Sequence, residues 1–463
     1  MSVPDLLLST PLLTNKGLAT CVNEILEKSD ISQLIKNYKL NLPNSEPKCL
    51  PIHLKKNMPN ANRQFIQWLV GFTDAEGFFY IYSNINWTAV SLRFSIELHI
   101  DDIEILHEIY RTLGVGRVVS YSKRNSAIFY VVNLHDIIRV IIPIFQEFPL
   151  QTSKHLDFTF FSKVASIKSK YLEGTTKISK TELIAIKNLK ETMNSKRLTI
   201  NKKQEDNLRD KVSINIWWLL GFVEGEGTFG YKHLVPYFQI AQHTKNLFIL
   251  EAIETFLSKV FKESTNTLGF EVFKVKYTLN KGTGVYSMTV EKIDLMIYLI
   301  PLFQSLSFFT RKSVDYHYWV ISVVMHKFGY YYLPDGKKIA LKISSGTNKY
   351  RYSSNDLNKT ELPSVYSISE LFAQTPPFNV NSGSSHFDLV REFTISKGGR
   401  KGFIVYVYIR ESEEYKELKG SPFSTYGAGH VAIGQKAGSR VIGRYIDTGK
   451  AYKDKYIFSS VPL

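Results

Sequence analysis

The feature that most constrains this chain is that part of it is written twice. Residues 65–77 read FIQWLVGFTDAEG and residues 215–227 read NIWWLLGFVEGEG, a shared frame of W-L-[VL]-G-F-x-[DE]-[AG]-E-G. Two further blocks keep the same order. FSIELHIDDIEILHEI at 94–109 matches FQIAQHTKNLFILEAI at 238–253, and IIPIFQEFPLQTSKHLDF at 141–158 matches LIPLFQSLSFFTRKSVDY at 299–316. The offset is 150 residues between Glu76 and Glu226 and 158 between Pro143 and Pro301, so loops have drifted while the order has held. Ordered blocks of this kind mark a tandem duplication, and 463 residues leave room for two units and more.

Each copy reads alike. The motif predicts a helix with apolar residues on several faces, hence one that is largely buried. Ser91, Arg93, Ser95, Glu97 and His99 then alternate with Leu92, Phe94, Ile96, Leu98 and Ile100, the period of a strand with one face on a core. A helix follows from about Asp102 to Leu113, ended by Gly114. Arg117 to Leu134 reads as a hairpin turning near Arg124-Asn125-Ser126, and the last helix contains Pro143. The second copy turns its hairpin near Lys281-Gly282-Thr283-Gly284. The expected class is α+β, with two tandem α-β-β-α-β-β-α repeats about a pseudo-twofold axis.

Charge narrows the partner. Lys and Arg number 58 against 42 Asp and Glu, a net +16 that suits a polyanion, either nucleic acid or an acidic membrane surface. No run of about 18 uncharged apolar residues is present, so a membrane span is not expected. Cys21 and Cys49 are the only cysteines, too few for a disulfide scaffold or a four-cysteine zinc site, and a reducing compartment fits.

Gly71 and Ala75 are four residues apart, as are Gly221 and Gly225. On helices these pairs make small-residue stripes that let two backbones approach closely. Two such helices would bring Glu76 and Glu226 together at one end, beside Gly77 and Gly227. Paired carboxylates need a compensating cation, and oxygen ligands favour Mg²⁺. In a strongly basic chain that combination points to phosphodiester hydrolysis. Asp74 and Glu224, two residues earlier, face elsewhere and are expected to cap or to link the repeats.

These paired segments resemble the signatures of the LAGLIDADG homing endonucleases, in the single-chain form common in organellar introns, over about residues 63–328. The resemblance implies saddle-like antiparallel sheets and a site-specific endonuclease that cuts both strands of DNA and promotes intron mobility. In that family the acidic residue before the last motif glycine binds the catalytic metals. Here this means Glu76 and Glu226, with Gly77 and Gly227 in the metal set and Mg²⁺ or Mn²⁺ as the ion. A lysine after the last Pro-containing helix lies near the scissile phosphates, and its matches are Lys154 and Lys312. A polar residue ends the second strand near the metals; Gln242 fits, its counterpart Leu98 does not, and the two active sites should be unequal.

A two-stranded ribbon can enter the major groove. Two sheets on adjacent half-sites would cover about 20 bp of an asymmetric duplex target, bound by a monomer. The candidate base-facing residues are Ser91, Arg93 and Ser95 in the first repeat and Gln239, Lys274 and Lys276 in the second. The repeats are placed at 63–168 and 213–328, with an N-terminal extension at 1–62. A basic linker is expected at 169–212 and a linker of uncertain structure at 329–400.

The tail, 401–463, reads strand or hairpin, helix, turn, helix, short strand. Through VYVY, SRVIGRYIDTGK and YKDKYIFS it resembles the first type of nuclease-associated modular domain, a small DNA-binding module of helix-turn-helix character. The resemblance places Arg440 and Arg444 on or before its recognition-like helix. Two rival functions stay open: an RNA maturase that assists splicing of its host intron, and a non-catalytic DNA-binding protein. A mitochondrial origin follows from the resemblance; the absence of arginine before Arg63 argues against an Arg-rich transit peptide.

Overall fold

A computed structural model describes residues 13–28, 49–84, 89–171, 178–197, 199–264, 275–354, 360–378, 384–396, 404–411, 414–460 and 462. Within it an asparagine starts each motif helix. Asn62 accepts from the Phe65 amide at 2.7 Å and Asn215 from the Trp218 amide at 2.9 Å, capping Arg63–Glu76 and Ile216–Glu226. Both helices stop where a glycine turns extended, Gly77 at φ −76° and Gly227 at φ −74°, and each glycine is already the first residue of a strand. A Cβ on Gly77 would collide with Thr73, so only glycine turns helix into strand within one residue there.

The two motif helices pack on each other backbone to backbone. A Cβ on Gly71 would overlap the Trp218 carbonyl oxygen, and one on Gly221 the Trp68 carbonyl oxygen. Flanking the contact, Trp68 stacks on Phe72 and Trp218 on Phe222, each pair with centroids 4.8 Å apart. Two helices without side chains at the crossing approach more closely than two with them, and this fixes where both helices end.

Each repeat forms one four-stranded antiparallel sheet of the same topology. In the first, β1 (Gly77–Ser83), β2 (Val90–His99), β3 (Arg117–Tyr121) and β4 (Ser126–Val131) take the order β1-β2-β4-β3. In the second, β5 (Gly227–Lys232), β6 (Val235–His243), β7 (Lys276–Asn280) and β8 (Val285–Val290) take the order β5-β6-β8-β7. The expected helix runs Ile103–Leu113 and closes on Gly114 at φ 67°; the hairpin after it turns through Asn125 at φ 49°. One face of each sheet is buried under helices, Phe79 and Phe94 against Phe145 in one repeat, Phe229 and Phe238 against Phe303 in the other.

The flanking segments carry helices of their own. The region assigned to a linker at 329–400 contains the helices Pro334–Gly346 and Val365–Phe372, and Ile339, Ile343, Ile368 and Leu371 are buried in the same core as the repeats. Likewise Ile186, Met193 and Leu208 anchor the 169–212 segment. In the N-terminal extension the helix Leu13–Lys28 buries Leu18, Val22 and Leu26. A few apolar residues spaced along polar helices suffice for this docking, which is why composition alone reads as linker.

The chain divides at His386/Phe387 into two units. In the second, β9 (Tyr406–Glu411), β10 (Glu414–Glu417) and β11 (Tyr456–Ser459) form an antiparallel sheet of order β10-β9-β11. Short helices Tyr426–Ala432 and Val441–Tyr445 complete a small core of Val405, Val407, Ile433, Ile442 and Phe458. Buried His430 ties the helices together, its Nε2 accepting from the Ile442 amide at 2.9 Å.

Candidate active site

Glu76 and Glu226 are the last residues of the two motif helices, so the glycine-to-glycine crossing carries both carboxylates to one place. A Cβ on Gly225 would lie 3.2 Å from Glu76 Cγ, which measures how closely the second helix passes the first glutamate. Glu76 is exposed and Glu226 half-buried, so both carboxylates can be reached from solvent. Desolvation raises the pKa of Glu76, against the pull of Lys154 and Lys312, and Asp102 adds to the rise. Glu226 is raised too, first by desolvation and then by the negative charge of Glu76.

Lys154 and Lys312 are each the first residue of a helix, Lys154–Ser169 and Lys312–Lys327. Lys154 Nζ donates to the carbonyl oxygens of Thr73 at 2.9 Å and Ala75 at 3.1 Å. Lys312 Nζ donates to the carbonyls of Gly225, at 3.4 Å, and Gly227. Each ammonium thus closes the C-terminal end of its own repeat's motif helix, where the helix dipole favours a cation. Burial lowers both lysine pKa values, while Asp74 and Asp315 respectively work most strongly against the shift. The expected metal-set residues part company here: the Gly227 carbonyl is engaged by Lys312, whereas Lys154 bonds Thr73 and Ala75.

Asp74 and Glu224 fix the starts of those lysine helices. Asp74 accepts from the amides of Gln151 at 2.7 Å and Thr152 at 3.1 Å, and from the Thr152 hydroxyl at 2.6 Å. Glu224 accepts from the amides of Phe309 at 3.0 Å and Thr310 at 2.6 Å. Each also reaches the other repeat: the Trp218 indole donates to Asp74 at 2.9 Å and the Trp68 indole to Glu224 at 3.0 Å. The sequence alternatives of capping and inter-repeat contact are therefore both realised.

The surroundings of the two glutamates are unequal. Gln242 is buried, as strand alternation requires, and its side chain hydrogen-bonds Glu226. Its Oε1 accepts from Asn246 Nδ2 at 2.8 Å, and Asn246 Oδ1 accepts from the Ser153 amide at 3.0 Å. A continuous chain of bonds thus runs from the residue before Lys154 to Glu226. On the other side Leu98 replaces Gln242, offers no hydrogen bond, and lines a cavity of about 240 Å³ with Glu76, Asp102, Glu226, Lys312 and Arg351. Asn246 and Asp102 escape sequence reasoning, although they occupy equivalent places in the matched blocks 238–253 and 94–109.

The outer face of the first sheet presents Ser91, exposed, and Arg93, half-buried with its guanidinium 4.4 Å from the Tyr130 ring. Ser95 lies on the same face but is only 7% exposed, because the larger Phe78 and Tyr130 stand directly opposite it on the two neighbouring strands. The reachable atoms around it belong to Phe78, Tyr130 and Arg117, the residues one cross-strand row contains. In the second sheet Gln239 and Lys276 both pair with Thr289 and so share a face, with Lys276 Nζ 3.0 Å from Glu291. Lys274 lies outside the described residues. In the second unit Arg440 immediately precedes the helix Val441–Tyr445, with no capping side-chain hydrogen bond, and Arg444 lies on it, both exposed.

Comparison with known proteins agrees with this architecture. Residues 69–165 and 219–323 match the family model described as LAGLIDADG endonuclease. A Saccharomyces cerevisiae protein named uncharacterized mitochondrial protein RF1 is 26% identical over 424 residues, covering 88% of this chain and 84% of its own length. Probable intron-encoded endonuclease Cox1-I1b of Schizosaccharomyces pombe is 29% identical over 267 residues, covering 55% of this chain and 63% of that protein. Among solved structures, the LAGLIDADG homing endonuclease I-GzeII in complex with its DNA target is similar in fold, with a TM-score of 0.52 at 24% identity. That similarity covers 62% of this chain and 99% of the other.

Proposed function

We propose that this chain, two segments of which match the LAGLIDADG endonuclease model, is a site-specific double-strand DNA endonuclease that promotes intron mobility. The observation that carries this reading is the convergence of Glu76 and Glu226 at the ends of two helices in glycine contact, with Lys154 and Lys312 closing the same helix ends.

The residues present fit a divalent cation. Among the described residues no three His, Cys, Asp or Glu side chains are grouped to hold one. A small hard cation such as Mg²⁺ needs fewer: one or two carboxylates, with water and substrate phosphate completing its shell. Glu76 and Glu226 would supply the carboxylates, with Gly77 and Gly227, the other residues of the expected metal set, directly after them. Bound, such an ion polarises a phosphoryl oxygen and acidifies water. The raised carboxyls gain most from a cation, since it offsets both their burial and their mutual repulsion.

The protein's own groups do the rest. Lys154 and Lys312 place positive charge where negative charge develops on the scissile phosphates. Gln242 orients Glu226, and Leu98 leaves Glu76 without that support. The outer sheet faces, through Ser91, Arg93, Gln239 and Lys276, meet the major groove of a long duplex. Because the two faces differ in sequence, the target is asymmetric. Arg440 and Arg444 of the second unit lengthen the footprint. The similarity to a yeast mitochondrial protein supports a mitochondrial setting.

The test is digestion of intron-free mitochondrial DNA by the full chain with Mg²⁺ or Mn²⁺, with break ends mapped. A discrete metal-dependent double-strand break at one asymmetric site is the expected result. Absence of any break, together with tight binding to an intron transcript, would replace this reading by RNA maturation.

A further inference from the structure

The duplication extends further than the three matched blocks. Asp157 and Asp315 sit three residues after Lys154 and Lys312 on the same helices and are 7% and 0% exposed. Each is held by a later segment of its own repeat, N-S-K-R at 194–197 and N-K-Y-R at 348–351. The Asn194 amide donates to Asp157 at 3.0 Å and the Asn348 amide to Asp315 at 2.8 Å. Both asparagines adopt left-handed backbone, φ 55° and 57°, and their Nδ2 groups donate to the equivalent carbonyls of Phe79 at 2.9 Å and Phe229 at 3.0 Å. Arg197 pairs with Asp157 at 2.6 Å, and Arg351 pairs with Asp315.

Each segment also crosses to the other repeat. Lys245 Nζ donates to the Arg197 carbonyl at 3.2 Å. Opposite, Asp101 accepts from the amide and hydroxyl of Ser353, both at 2.7 Å, and Arg351 Nη2 lies 3.9 Å from Asp102. Asp101 and Lys245 occupy equivalent positions in the matched blocks, so one position in each repeat holds the later segment of the other, through different atoms and different chemistry.

We propose that Arg197 and Arg351 are positioning residues: each locks the lysine of its own repeat, Lys154 or Lys312, against the opposite repeat and thereby governs one of the two strand cuts. The structural half of this proposal stands on the contacts themselves; the strand assignment rests on the nuclease reading. The two clasps share no residue, so loss of one leaves the other lysine in place.

A buried aspartate stripped of its arginine endangers folding, so both partners are neutralised together in D157N/R197Q and D315N/R351Q. On the full chain without DNA, pulse acetylation read by mass spectrometry follows each lysine. D315N/R351Q raises the labelling rate of Lys312 by about fivefold or more, as local opening requires, and leaves Lys154 unchanged; D157N/R197Q does the reverse. An equal rise at both lysines, or none, overturns the proposal. On a supercoiled plasmid carrying the mapped target, each variant accumulates circles nicked in one strand, a different strand for each, with DNA affinity without divalent cation unchanged and R351K recovering the second cut. Both strands slowed alike would overturn it too. If the unmodified protein cuts no DNA, the nuclease reading falls, and acetylation alone decides whether the clasps hold.

Discussion

The Trp218 indole donates to the Asp74 carboxylate at 2.9 Å across the boundary between the repeats, while Asp74 holds the amides that start the helix of Lys154. Four donors converge on that one side chain. D74N keeps its shape but turns an amide NH₂ toward them, and leaving one buried donor unpaired costs about 1–3 kcal/mol. We expect a fall in Tm and a matching loss of cleavage, measured by calorimetry and plasmid linearisation. E224Q should behave alike through Trp68, Phe309 and Thr310.

The glycine crossing admits no side chain. G71A or G221A drives a methyl group into a backbone carbonyl of the other helix, and such overpacking costs about 1–3 kcal/mol or more. Denaturant unfolding should show the loss. Chain separation at Gly71 would also displace Glu76 from Glu226, so activity should fall further than stability alone accounts for.

Glu76 and Glu226 both have raised pKa values in the fold. A group raised on folding contributes stability that is complete below its ordinary pKa, 4.5 for glutamate, and is lost as pH rises through the folded value. Above that folded value the carboxylates are ionised at a cost. E76Q/E226Q should therefore abolish cleavage, spare DNA binding and raise Tm at pH 7 to 8, with the gain shrinking toward pH 4.5. Added Mg²⁺ should stabilise the unmodified protein and not the double variant, as binding linkage requires.

Gln242 and Leu98 make the two halves unequal. Q242L should remove the support of Glu226 and slow cutting of one strand, by about tenfold if one buried hydrogen bond to a charge is lost. Time courses on supercoiled DNA would then show a longer-lived nicked intermediate. Equal rates of both cuts would contradict the role given to Gln242.

Affinity should weaken steeply with salt, the logarithm of the binding constant falling by about 0.9 per phosphate neutralised for each unit of log salt. K276A should reduce that slope by about one contact if Lys276 meets a phosphate and leave it unchanged if it reads a base. Titrations from low to moderate ionic strength measure this directly.

Much of the architecture is legible in contiguous residues. The period-two run from Ser91 to Ile100 specifies β2 and its two faces, Gly114 closes a helix at positive φ, and the repeated motif places both glutamates at helix ends. Ser95 shows the limit: alternation assigns its face correctly, but its exposure depends on Phe78 and Tyr130 from other strands. The helices in 329–400 escape a compositional reading because their apolar anchors are few and matter only against a core supplied by distant residues.

The sequence by itself determined the duplication, the order of elements in each repeat and the carboxylate pair, since periodicity and capping act over a few neighbouring residues. Tertiary structure alone decided the rest: Trp218 on Asp74, Trp68 on Glu224, and Arg197 and Arg351 on the aspartates of the lysine helices. These partners lie 144, 156, 40 and 36 residues apart. Their meeting depends on how two glycine-lined helices cross, and no local pattern encodes the angle and depth of that crossing.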